Sequence, residues 1–117
     1  MGRVAIWQRG CDVMSWDFSM ERTFVVKNGL NYTWNVSAMY ADRRVFGKDG
    51  ISSLDGLAGK EAFPILRSAL AGMKNNAGKL KRFEPENKWG SFDGAVKIVE
   101  TLIEWCLDEP NAVIRIW

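Results

Sequence analysis

The stretch RTFVVKNGLNYTWNV, residues 22–36, carries the strongest local signal in the N-terminal half of the chain. Asn28-Gly29 suits a two-residue type I′ turn, which needs positive φ at both central positions, and β-branched and aromatic residues stand on either side. The expectation is a hairpin of residues 22–27 with 30–36. Side chains alternate across a strand, so Leu30, Tyr32, Trp34 and Val36 should face the core and Asn31, Thr33, Asn35 and Ser37 the other side. There is one conflict. A two-residue turn sets Val25 against Tyr32 and Lys27 against Leu30, which places Phe24 and Val26 on the face of Asn31 and Thr33. Either both faces are partly covered, or a bulge shifts the register.

Working outward, residues 4–8 (VAIWQ) read as a short strand. Residues 11–22 mix apolar and polar side chains without clear period and read as a loop or a poorly specified strand. Beyond the hairpin, residues 39–56 form a glycine-punctuated connection with a short helical turn near residues 39–46. Ala62, Ile65, Leu66, Ala69, Leu70 and Met73 then recur at the spacing of one helix face. Pro64 fits only near a helix start, so this helix should begin about Gly59 to Glu61 and end near Lys74. Residues 77–90 (AGKLKRFEPENKWG) read as a second loop.

Ser91 offers an N-cap and Asp93 suits the positive end of the dipole. Phe92, Ala95, Val96, Val99, Leu102, Ile103 and Cys106 form a long apolar stripe behind them. Pro110 forbids continuation, and NAVIRIW closes the chain as a strand with Ala112, Ile114 and Ile116 on one face. The fold class is α+β: an antiparallel or mixed sheet built from the N-terminal strand, the Asn28-Gly29 hairpin and the C-terminal strand, with two helices packed on one face.

At 117 residues the chain is the size of one domain, and its 47% hydrophobic and 26% charged content is that of a folding globular sequence. The formal charge of +2, from 16 basic and 14 acidic side chains, sets up no global field that would recruit nucleic acid or an anionic membrane. Any basic surface must be local. Cys11 and Cys106 are far apart and match no metal or redox spacing, so free thiols are the expectation. No apolar run reaches the roughly 18 residues of a membrane span, and the N-terminus lacks a signal-peptide pattern. The expectation is a cytoplasmic protein, in which the acceptor sequons at Asn31 and Asn35 are accidental.

Histidine is absent from the chain, which removes the usual general base and the commonest transition-metal ligand. Gly56-Leu57-Ala58-Gly59-Lys60 departs from a phosphate-binding loop in spacing and in having Glu61 after lysine. Asp12, Asp17, Asp42, Asp49 and Asp55 lie in expected loops, where two close acids could support a small hydrolase, although nothing singles out a pair. No cofactor or metal is implied, and the chain reads as a non-enzyme. The one concentration of positive charge is Lys74, Lys79, Lys81, Arg82 and Lys88, interleaved with Phe83 and Trp89. Such a segment could track a nucleic-acid strand, or simply solvate a helix end.

Six tryptophans exceed what one small core needs. Trp89, in a polar loop, and Trp117, the last residue, have no evident core position and are candidates for anchoring a protein partner. The polar row Asn31, Thr33 and Asn35, together with Arg43 and Arg44, completes that set of candidates. A free edge of the hairpin could also pair with a second copy of the chain.

Asn31-x-Thr33-x-Asn35-Val36-x-x-Met39, Leu54-x-Gly56, a helix ending in Met73, and Pro85-x-Asn87-x-Trp89-Gly90-Ser91 ahead of a helix carrying Cys106 and followed by Pro110 together resemble a group of small proteins encoded by bacteriophages and prophages. The resemblance spans residues 31–117. It implies a phage accessory protein made in the bacterial cytoplasm, and proteins of that kind often bind and inhibit a host or defence protein. The leading expectation is therefore a non-catalytic protein-binding module. A nucleic-acid or nucleoprotein binder is the alternative, and a carboxylate hydrolase the second alternative.

Overall fold

A computed structural model of the chain describes residues 15–86 and 90–117, with Trp34 described in its backbone alone. The fold is α+β. Three antiparallel strands, β1 (Ser15–Glu21), β2 (Val25–Thr33) and β3 (Val113–Ile116), form a sheet in the order β2-β1-β3. Between β2 and β3 lie α1 (Ser37–Tyr40), α2 (Gly59–Asn75), α3 (Ala77–Leu80) and α4 (Phe92–Asp108), with 3-10 turns at Trp34–Val36, Gly50–Leu54 and Lys81–Phe83. The strand expected at residues 4–8 lies outside the described residues, as does Cys11.

The hairpin is present but its turn is not at Asn28-Gly29. The chain reverses at residues 22–24, where the Arg22 N–H donates to the Phe24 carbonyl at 3.0 Å. Asn28-Gly29 sits inside β2 as a bulge: between the pairs Phe18–Leu30 and Met20–Lys27, Ser19 alone faces both residues. Gly29 has φ +87°, the left-handed conformation that a glycine bulge requires just as the expected turn would. A second shift lies between Met20 and Glu21. This arrangement also removes the conflict over Phe24, which stands at the tip and faces neither side of the sheet.

The segment read as a loop or weak strand supplies the central strand. Trp16, Phe18 and Met20 alternate onto one face and are buried. Trp16 stands opposite Tyr32, Phe18 lies between Leu30 and Ile116, and Met20 stands opposite Ile114. Flanked on both sides by paired strands, β1 carries the densest apolar row of the sheet. Burying each such side chain contributes about 1.5–3 kcal/mol.

Both long helices form where their apolar stripes recur. In α4 the Ser91 hydroxyl accepts from the Gly94 N–H at 3.0 Å, and Phe92, Ala95, Ile98, Val99, Leu102 and Cys106 are buried. In α2 the Ala58 N–H donates to the Glu61 carboxylate at 2.9 Å, and the buried line is Ala62, Leu66, Ala69 and Met73. Ile65, expected on that line, is 40% exposed, because α2 contacts the core along a narrow arc. A Cβ on Gly59 would fall 2.7 Å from the Glu109 carbonyl and 3.2 Å from the Cys106 Cα, while the Lys74 ammonium reaches Glu100 at 3.6 Å. The start of α2 is thus pressed against the end of α4, and the two helices run antiparallel.

Residues 77–90, read as a loop, are helical in part. Fully buried Leu80 pins α3 to the core. Tyr40 is fully buried, its hydroxyl donating to the Ala95 carbonyl at 2.8 Å and its ring meeting Trp16 and Phe46 at 5.5 and 5.6 Å. Burial, with nearby Tyr32, raises its phenol well above the ordinary tyrosine range.

The two sheet edges are finished differently. The outer edge of β3 is covered by residues 55–59: Gly56 and Gly59 N–H groups donate to the Ile114 and Ala112 carbonyls, Ile114 N–H donates to Leu57, and Ile116 N–H donates to the Asp55 carboxylate. This accounts for the glycines and the aspartate of that segment. The outer edge of β2 pairs with no strand among the described residues.

Candidate functional site

The exit from β2 brings several expected partner residues together, and uses them structurally. The Ser91 N–H donates to the Tyr32 hydroxyl at 2.9 Å, and the Thr33 hydroxyl accepts from the Asn35 N–H at 3.2 Å. A Cβ on Gly90, which has φ +102°, would lie 2.7 Å from Thr33 Cγ2, and one on Gly94 would lie 2.0 Å from the Tyr32 hydroxyl. The end of β2 and the start of α4 are therefore locked, with Thr33 and Asn35 half-buried as parts of the lock. The polar row is thereby corrected: Asn31 alone of the three is exposed, and β2 ends at Thr33 before Asn35 turns into the 3-10 segment. Trp89 and Lys88 lie outside the described residues.

Trp117, a candidate anchor, is a half-buried extension of the sheet. Its backbone exchanges hydrogen bonds with Asp17 at 2.8 and 3.1 Å, and its indole N–H is buried without an acceptor among the described residues. Cys106 is a buried free thiol whose pKa burial pushes up to about 11, so little thiolate exists near neutral pH. Of the loop acids, Asp42 is ion-paired to Arg44 at 3.1 Å and Asp55 holds the β3 edge, while Asp17 lies within β1. Among the described residues no group of three Cys, Asp or Glu could hold a metal ion.

A shallow cleft of about 240 Å³ opens between Trp16, Ser37, Tyr40 and residues 48–52. It is smaller than typical small-molecule sites, and its aromatic floor is almost entirely covered, with Trp16 at 6% exposure.

Positive charge is gathered by the fold. A Cβ on Gly72 would fall 1.7 Å from the Arg44 carbonyl, so the turn after α1 lies directly on the last turns of α2. The same α1 packs against Lys81–Phe83. The Arg43-Arg44 turn thus lies beside the part of the chain that carries Lys74, Lys79, Lys81 and Arg82. Lys74 pairs weakly with Glu100, Arg44 with Asp42, and Lys81 lies 5.7 Å from the centre of the Phe92 ring.

The hairpin tip is the reverse. Phe24 is 67% and Val25 46% exposed, and Leu107, near the end of α4, is 63% exposed. Two ion pairs tie the tip to that helix end: Arg22 to Glu109 at 3.4 Å and Lys27 to Asp108 at 3.1 Å. The sequence does not single out the tip, because Phe24 reads as part of a strand. The β2 edge beside it, unpaired among the described residues, has two register shifts and carries Lys27, features that discourage continuous pairing with a second chain. Among the described residues no helix is long and apolar enough to cross a membrane. No protein-family model, curated protein or solved structure matches the chain.

Proposed function

We propose that the protein is a non-catalytic binding module that works by contact with another protein, docked on the hairpin tip. The observation that carries this reading is the exposure of Phe24, Val25 and Leu107 beside two ion pairs that hold the tip against α4. Large apolar side chains rimmed by charged groups have the anatomy of an interface centre, and a tip already tied down loses little freedom on docking. Covering Phe24 alone would contribute roughly 1.5–3 kcal/mol. The lack of histidine supports the non-catalytic part of the reading. The resemblance to small phage-encoded proteins makes a bacterial host or defence protein the class of partner to seek.

Affinity capture from bacterial lysate with the wild-type chain and a Phe24→Ser variant tests the proposal. A protein retained by the wild type and lost with the variant, both being folded, supports it. Equal retention by both removes the tip as the docking surface.

A further inference from the structure

The net charge of +2 conceals a strong internal polarity. Residues 41–48 and 74–83 hold seven cations and one carboxylate, leaving nine cations against thirteen carboxylates in the remainder of the chain. These two segments are distant in sequence and meet because Gly72 admits the Arg44 backbone and because α1 packs on Lys81–Phe83. Asp42, the carboxylate within them, is already bound to Arg44, while of the acids that border them Glu84 accepts from the Phe92 N–H at 2.7 Å and Asp49 is exposed. Arg43, Lys79 and Arg82 are exposed and form no ion pair among the described residues. Amid them Phe83 leaves its ring 42% exposed on the turn that also carries Lys81 and Arg82.

We infer that this composite face binds single-stranded nucleic acid, with Arg43, Lys79 and Arg82 on phosphates and Phe83 as a platform for a base. Unpaired cations set against a polyanion release its counterions, which drives association without sequence preference. An exposed ring adds stacking that every base can supply. The free cations make the partner anionic, and the ring in their midst favours a strand with exposed bases over an acidic protein surface. The face lies at the opposite end of α4 from the hairpin tip, so it is independent of the protein-docking reading.

Fluorescence anisotropy with a labelled 20-nucleotide oligothymidylate, titrated at several salt concentrations, tests this directly. Three phosphate contacts give a slope of about −2.1 in log affinity against log salt, or roughly a 20-fold loss between 50 and 200 mM. Arg43→Ala and Lys79→Ala should each make the slope shallower by about 0.7, and the pair of changes by about 1.4. Phe83→Ala should weaken binding about 5-fold or more while leaving the slope unchanged. All three side chains are exposed, so the variants should melt with the wild type. Absence of binding at 50 mM salt overturns the inference. So does equal affinity for polyglutamate, which would make the face a site for acidic protein. An unaltered slope in Arg43→Ala would show that the two basic segments do not act as one surface, and an unaltered affinity in Phe83→Ala would remove the base platform.

Discussion

The two ends of α4, about 25 Å apart for a helix of its 17 residues, carry opposite surface chemistry. At the C-terminal end charges engage one another, Arg22 with Glu109 and Lys27 with Asp108, and the large apolar side chains Phe24, Val25 and Leu107 are exposed beside them. Near the N-terminal end the cations Arg43, Lys79 and Arg82 have no ion-pair partner among the described residues, and the exposed Phe83 lies on the same turn as Arg82. A near-neutral chain can therefore hold two surfaces suited to different partners. Charge pairing at one end leaves hydrophobic burial as the available driving force, and its lack at the other leaves electrostatics.

The contrast between the two ends depends most strongly on Gly72. Alanine there would press its Cβ into the Arg44 carbonyl, so Gly72→Ala should cost about 3 kcal/mol in urea unfolding and displace Arg43 from the basic end. A variant of unchanged stability would show that the turn does not rest on α2 as described. The core between the two ends should respond to alkali instead. Burial raises Cys106 from 9.0 to about 11 and Tyr40 above its ordinary 10.0, so the unfolded chain ionises first and the folded one keeps its protons. Stability from these groups is complete below about pH 9 and declines as pH rises through 9 to 11, then further as tyrosine ionises in the unfolded state. Denaturation midpoints that rose between pH 9 and 11 would contradict this sign.

A smaller effect belongs to Tyr40→Phe, which removes the 2.8 Å bond to the Ala95 carbonyl and should lower stability by about 1 kcal/mol. The hairpin tip should contribute least to stability. Lys27→Ala, breaking an exposed pair, should change the unfolding free energy by under about 1 kcal/mol, and Phe24→Ser by about 0.5 kcal/mol or less. A large loss on changing Phe24 would make it a packing residue and would dissolve the contrast between the two ends.

Both long helices were legible because their information is local: stripes at three and four residues, a serine cap, and Pro110 beyond the end. The last strand was legible for the same reason, from Ala112, Ile114 and Ile116. The hairpin was misread because Asn28-Gly29 satisfies a type I′ turn and a glycine bulge equally well, each needing positive φ at Gly29. Asn28-Gly29 becomes a bulge because β2 pairs with β1, whose buried Trp16, Phe18 and Met20 also share a face with Ile114 and Ile116 of β3, far along the chain. The surfaces were less legible still. The two basic segments meet through the Arg44 backbone at a helix glycine and through α1 on Lys81–Phe83, and Thr33 and Asn35 look like a polar face until Gly90 packs on Thr33 and the Thr33 hydroxyl takes up the Asn35 N–H.

The most direct test of protein docking at the apolar end is a photo-crosslinking side chain placed at position 24, with position 68 on the exposed side of α2 as reference, irradiated in bacterial lysate at high salt. Docking at the tip predicts a discrete adduct with one other protein from position 24 and none from position 68. Identical patterns from both positions, or no adduct from position 24, would contradict it.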